Sequence, residues 1–202
     1  MPQAVVIATG NAGKLSEFCA IIKDGAFSFF MSKDIGFAEE VEESAQTFKR
    51  NAEIKAKAVF EYTASKYKDY WVVADDSGLE VEALDGRPGI FSARYAGENA
   101  SGKDRYMKLL NEMEGKTNRN ARFVCCLCLI RPGHAPEFFE GVCRGSILPE
   151  PRGSGGFGYD PVFLPEGCTQ GFGEMSEEEK NTLSHRGRAV KKMLERLNAE
   201  QA

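Results

Sequence analysis

Several stretches of the chain hold residue types whose spacing could do chemistry. Thr9-Gly10-Asn11-Ala12-Gly13-Lys14 follows the apolar run Ala4 to Ala8 and leads into a helical pattern. A strand, a glycine turn and a helix start aim backbone N–H groups and a positive dipole end at one place. Lys14 adds a mobile ammonium, so an anion can sit there. The segment is not a P-loop, G-x-x-x-x-G-K-[ST], because Ala8 occupies the first glycine position and Leu15 the Ser/Thr position. A plain helix start capped by Thr9 or Asn11 is the competing reading.

Asp75-Asp76-Ser77-Gly78 follows Trp71-Val72-Val73-Ala74, an apolar run suited to a central strand. The four residues read as a turn before the next strand. Two adjacent carboxylates at the end of a buried strand repel each other unless donors or a cation compensate them. Magnesium suits such a place, because it takes one or two carboxylates together with phosphate oxygens and water. The acidic cluster Glu39, Glu40, Glu42, Glu43 stands ahead of a long helical pattern, where carboxylates are favourable for dipole reasons alone. One of them could be a second metal ligand if that loop folds over the Asp pair. Asn51 and Lys55 stand at i and i+4 on one face of the helix, so Lys55 can face a phosphate or simply the solvent.

Gly156-Phe157-Gly158-Tyr159-Asp160-Pro161 places two aromatic rings among glycines without an amphipathic period, and aromatic faces stack on nucleobases. Lys180 and Ser184-His185-Arg186 add donors near the start of the last helix, which Ser184 can cap. His185 beside Arg186 is a poor general base, since the adjacent cation favours the neutral ring; it reads as a hydrogen-bonding and shape element. His134, in a Pro-Gly turn, shows no role. Cys125 and Cys128 form a C-x-x-C, but inside Phe-Val-Cys-Cys-Leu-Cys-Leu-Ile with no second pair they read as small core residues.

The elements that must position these residues alternate between strand and helix periods, which points to an α/β architecture. Strands are expected at Ala4–Thr9, Phe27–Met31, Tyr70–Ala74, Leu79–Leu84, Ala121–Arg131 and Glu137–Leu148. Helices are expected after the first glycine turn, over Ala45 to Lys66, over Gly102 to Met113, and at the end through Val190, Met193, Leu194 and Leu197. Residues 141–173 hold nine of the 21 glycines and four of the eight prolines, and read as shaped loops.

At 202 residues the chain is long enough for one domain with a substantial core. Its 42% hydrophobic and 28% charged residues are ordinary for a globular protein and exclude disorder, a coiled-coil rod and a disulfide miniprotein. A net charge of −4 without like-charge blocks gives no reason to expect a nucleic-acid partner. The longest apolar run has eight residues, against about 20 for a membrane span. With no signal-like segment, a cytoplasmic protein with reduced thiols is expected.

Taken together, Ala8-Thr9-Gly10-Asn11 with Lys14 and Glu17, Ala74-Asp75-Asp76-Ser77-Gly78-Leu79, Gly86-Arg87-Pro88-Gly89 with Ser92-Ala93-Arg94-Tyr95, Gly156-Phe157-Gly158-Tyr159-Asp160-Pro161 and Ser184-His185-Arg186-Gly187 resemble the inosine triphosphate pyrophosphatase family. The chain is most similar to its bacterial RdgB/HAM1-like branch, in order from residue 4 to about 195. Arg50 stands where that branch usually carries Glu, and Ser44-Ala45 lacks the glycine usual after the metal-binding Glu.

The resemblance implies a single domain over residues 1–202 with an elongated mixed β-sheet, flanking helices and two lobes around a central nucleotide cleft. It implies a Mg²⁺-dependent homodimer that hydrolyses ITP, dITP and XTP to the monophosphate and pyrophosphate. By motif position, Thr9, Gly10, Asn11, Ala12, Gly13 and Lys14 would hold the triphosphate, Glu43 and Asp76 the metal, and Asp76 would also activate water. Lys55 would face phosphate, and Ser77 would touch substrate. Phe157, Gly158, Tyr159, Asp160, Lys180, His185 and Arg186 would form the base and sugar pocket. Lys180 and Arg186, as donors, suit a 6-oxo purine and leave the 6-amino group of adenine unpaired. A Maf-like pyrophosphatase for other modified nucleotides, and a nucleotide sensor without turnover, would use much the same residues. Each reading requires the Asp pair, the Lys14 segment and the Phe157 loop to meet at one cavity.

Overall fold

The computed structural model describes residues 2–22 and 25–200. Strands are β1 (Gln3–Ala8), β2 (Phe27–Met31), β3 (Trp71–Val81), β4 (Asn120–Ile130), β5 (Glu137–Ile147) and β6 (Phe163–Pro165). Helices are α1 (Ala12–Ile21), α2 (Phe48–Lys66), α3 (Gly102–Glu112), α4 (Glu177–Leu183) and α5 (His185–Ala199). The strands form one mixed sheet in the order β2-β1-β3-β4-β5-β6, with β1 parallel to β2 and β3, and β5 antiparallel to β6.

Side-chain caps set the helix starts. Asn11, not Thr9, caps α1: its side-chain oxygen accepts from Gly13 N at 2.9 Å, while Thr9 Oγ1 accepts from Asn11 N at 3.0 Å. α2 begins at Phe48 rather than Ala45, because Thr47 is extended and its hydroxyl accepts from Arg50 N at 3.2 Å. Thr47→Ala is therefore expected to lower stability by about 1 kcal/mol, read by denaturant titration. Ser101 with Asp104 and Ser176 with Glu179 form capping boxes on α3 and α4. Ser184 Oγ accepts from Gly187 N at 3.0 Å at the head of α5, as expected.

The chain divides into two compact units. The first comprises residues 2–22, 25–76, 125–140 and 189–200. Strand residues alternate there between two cores. Val5, Ile7, Val73, Cys125, Leu127 and Leu129 pack with Phe18 of α1 and Val190, Met193 and Leu197 of α5. Val6, Ala8, Val72, Ala74, Cys128 and Ile130 pack with Ala52, Ala56 and Val59 of α2. Helices on both faces leave no polar face, which is why these strands read as continuous apolar runs. The second unit, Ser77–Val124 and Gly141–Arg188, has a single core. Leu79, Val81, Phe123, Cys143, Ile147 and Phe163 meet Leu109 and Met113 there.

Two expectations are corrected. Asp75-Asp76-Ser77-Gly78 is not a turn: β3 continues through it to Val81, and only residues 82–84 bend, as a 3-10 turn. Residues 141–173 are not loops throughout. The strand expected at Glu137–Leu148 is present as β5, and the departure is Phe163–Pro165, which pairs with it because Ile147 and Phe163 are core residues.

Candidate active site

The continuation of β3 decides how its two carboxylates are compensated. Successive strand residues point to opposite faces, so Asp75 follows Val73 toward α1 and Asp76 follows Ala74 toward α2. Each meets its own lysine. Asp75 Oδ1 accepts from Lys14 Nζ at 2.5 Å, and Asp76 Oδ1 accepts from Lys55 Nζ at 3.4 Å. The mutual repulsion expected from the sequence is thus relieved by the pleat before any metal is considered.

Lys55 is the hub of this unit. Its Nζ donates to Glu43 Oε1 at 2.7 Å and to the Asp75 carbonyl at 2.8 Å, besides Asp76. Burial works against the ammonium, but Asp76 and Glu43 more than offset it, and its pKa is raised. Burial, reinforced by Glu43, lifts the Asp76 carboxyl above its ordinary range against the pull of Lys55 and Lys14. Asp76 Oδ2 is buried without a hydrogen-bond partner among the described residues. Glu43, not the exposed Glu42, is the cluster member that reaches this site. Asn51 contributes in two ways: fully buried on α2, its Oδ1 accepts from Ala45 N at 3.0 Å and so tethers the segment that carries Glu43, and its side chain opposes the rise of the Asp76 pKa.

The segment from Thr9 to Lys14 is open to solvent or half-buried throughout. Gly10 has an ordinary φ, and nothing lies within 4 Å of where a Cβ would stand. Neither strain nor packing calls for glycine there.

The second unit carries the aromatic loop and the late donors. Phe157 is 37% exposed, whereas Tyr159 is buried in the core with its hydroxyl donating to the Ser92 carbonyl at 2.9 Å. The two rings are therefore not alike: only Phe157 offers a face. Lys180 Nζ stands 4.6 Å and Arg186 Cζ 5.8 Å from its ring centroid. Asp160 organises this group, its Oδ2 accepting from both Lys180 Nζ and Phe157 N at 2.7 Å. Gly156 is required beside it, with φ +70° and no room for a Cβ against the Asp160 carboxylate. Arg186 Nη2 donates to Ser77 Oγ at 3.0 Å, and the buried His185 ring stacks on Phe123 at 4.7 Å.

All six cysteines are thiols. Cys125 and Cys128 belong to different cores on opposite sides of β4 and so cannot act as a redox pair. Burial pushes Cys126 up to about 11 and Cys128 up to about 12, so neither is a thiolate at neutral pH. Cys125 was hidden in the apolar run, yet its thiol donates to Asp75 Oδ2 at 3.2 Å. A cavity of about 540 Å³ in the second unit is lined by Glu80, Arg122, Arg144 and Glu166 among others, and by none of the expected site residues. No described helix is long and apolar enough to cross a membrane.

Comparison with known proteins is consistent along almost the whole chain. The model of the Ham1 family matches residues 5–196. A dITP/XTP pyrophosphatase of Bacillus licheniformis is 47% identical over 191 residues, covering 94% of this chain and 95% of the relative. The Bacillus subtilis dITP/XTP pyrophosphatase is 43% identical over 96% of both chains. Among solved structures, the Staphylococcus aureus Ham1 protein has a TM-score of 0.86 at 37% identity, over 98% of this chain and all of the other. A HAM1 protein from Coxiella burnetii has a TM-score of 0.87 at 36% identity, over 98% of this chain and 99% of the other.

Proposed function

The chain belongs to the Ham1 family, and from that premise we propose that it hydrolyses deaminated purine nucleoside triphosphates to the monophosphate and pyrophosphate. dITP, XTP and ITP are the substrates, and the reaction clears them from the nucleotide pool. The observation that carries this reading is the Lys55 ammonium between Glu43 and Asp76, beside a buried Asp76 oxygen that lacks a partner among the described residues.

Charge sets the chemistry. With Asp76 ionised, Glu43, Asp76 and Lys55 together carry one net negative charge, while a nucleoside triphosphate brings about four more. Positive charge must be added before the substrate can enter. Glu43 and Asp76, hard oxygen donors, would hold Mg²⁺, an ion that completes its shell with water and phosphate. When bound, the ion supplies charge neutralisation and Lewis acidity at the phosphates.

The chain's own residues do the rest. Thr9 to Lys14 and the positive end of α1 receive the phosphates, and Lys55 faces them from α2. Asp76 accepts the proton of the attacking water; a carboxylate made more basic by burial is better suited to that task. Phe157 stacks on the purine, with Tyr159 supporting the loop from within. Lys180 and Arg186 donate toward the 6-oxo group, and Ser77, held by Arg186, contacts substrate. Gly158 and Asp160 shape the loop, and His185 packs behind it. We place the protein in the cytoplasm as a homodimer, the whole chain serving as one functional domain.

Pyrophosphate release from dITP and XTP, measured against dATP and modified pyrimidine triphosphates, tests the reading. Preference for the deaminated purines is expected; binding without product contradicts it. Phe157→Ala should raise KM for dITP by the value of one stacked base, about 1–3 kcal/mol, with kcat less affected.

A further inference from the structure

We propose that Asp75 is a positioning residue for the two phosphate-facing lysines, and that the buried Cys125 thiol holds its carboxylate in the orientation this needs. The inference rests on the reading of Lys14 and Lys55 given above. The β3 pleat turns Asp75 away from Asp76, and its side chain has no exposure, so it cannot itself meet a ligand arriving from solvent. What it meets instead is Lys14 Nζ on Oδ1 at 2.5 Å and Cys125 Sγ on Oδ2 at 3.2 Å, while its carbonyl accepts from Lys55 Nζ at 2.8 Å. One residue thus fixes an ammonium from α1 and an ammonium from α2.

Fixing them has value because a lysine is a point charge on a flexible stem, and ordering it at the moment of reaction costs rotamer entropy. An ammonium anchored beforehand is preorganised for the charge that develops on phosphate. The thiol matters because a carboxylate can rotate about its Cβ–Cγ bond. With Oδ2 engaged by S–H, Oδ1 stays aimed at Lys14. A serine at position 125 supplies an equivalent donor; an alanine does not.

The test uses the full chain with Asp75→Asn, Cys125→Ala and Cys125→Ser, and Glu43→Gln for comparison. Three quantities are read: kcat for dITP, the half-saturating Mg²⁺ concentration, and the acylation rate of Lys14 by an amine-reactive reagent without metal, followed by mass spectrometry. Asp75→Asn is expected to lower kcat by about 10²-fold, the scale of a misplaced charged group. Its Mg²⁺ requirement should stay that of wild type, whereas Glu43→Gln raises it, and Lys14 should acylate several-fold faster. Cys125→Ala should lower kcat about fivefold, as for loss of one modest hydrogen bond, and Cys125→Ser should restore it. A Mg²⁺ requirement raised in Asp75→Asn as in Glu43→Gln makes Asp75 a metal ligand and overturns the proposal. So does an unchanged kcat in that variant, or equal behaviour of the alanine and serine at 125. If Asp75→Asn fails to fold, the position-125 comparison decides. An inactive wild-type chain contradicts the proposed function instead, and the acylation rates then decide the positioning separately.

Discussion

Asp76→Asn is expected to lower kcat for dITP by about 10²–10⁴-fold while leaving a protein that folds normally. The amide keeps the size of the carboxylate but cannot accept the proton of water, and it is a much weaker partner for a divalent ion. The fold should survive, because Lys55 keeps Glu43 Oε1 at 2.7 Å and the Asp75 carbonyl at 2.8 Å. Burial raises the Asp76 pKa, so folding favours the protonated form and the ionised group detracts from stability at neutral pH. A neutral side chain removes that penalty, and against the gain stands the loss of the Asp76 charge that helps to hold the buried Lys55 ammonium. Steady-state pyrophosphate release and a thermal melt on the same preparation check both halves. Activity within about threefold of wild type contradicts the assignment of Asp76 as base.

Lys180→Met carries the largest expected effect on stability, about 3–5 kcal/mol. Lys180 and Asp160 are paired at 2.7 Å with side-chain exposures of only 6% and 4%. Removing the ammonium leaves a buried carboxylate with one of its main partners gone. For a chain of this size that corresponds to a fall in Tm of roughly 6–20 °C. The double variant Lys180→Met with Asp160→Asn should recover part of the loss, because no uncompensated charge is then left inside. A single-variant cost below about 1 kcal/mol contradicts the buried-pair reading. The two variants separate by kind: Asp76→Asn spends activity and keeps the fold, whereas Lys180→Met weakens the fold of the second unit and, through it, the Phe157 loop.

The strands and helices were legible in the sequence wherever periodicity decides them. Val5 to Ala8 and Val72 to Ala74 show why a continuous apolar run is a strand with helices on both faces. The Asp pair reads as a turn in the sequence but lies in a strand, and the reason is physical. Asp75 and Asp76 look like turn residues to any local rule, and the lysines that keep them in a strand lie 61 and 21 positions away. Tyr159 lies among glycines with no amphipathic period to mark it as core, and its hydrogen-bond partner Ser92 is 67 positions distant. Cys125 was invisible as anything but core, since a thiol in an apolar run gives no sign of the carboxylate facing it. Lys14, Lys55 and Glu43 could be picked out because short motifs carry them; which oxygen each one meets is set by the pleat and is not written in any motif.

We expect water to attack the α-phosphorus of a deaminated purine nucleoside triphosphate. Hydrolysis of dITP in ¹⁸O-labelled water tests it most directly. The predicted result is label in the phosphate of dIMP, with unlabelled pyrophosphate released. Label in the pyrophosphate instead, or formation of dIDP and inorganic phosphate, would contradict it.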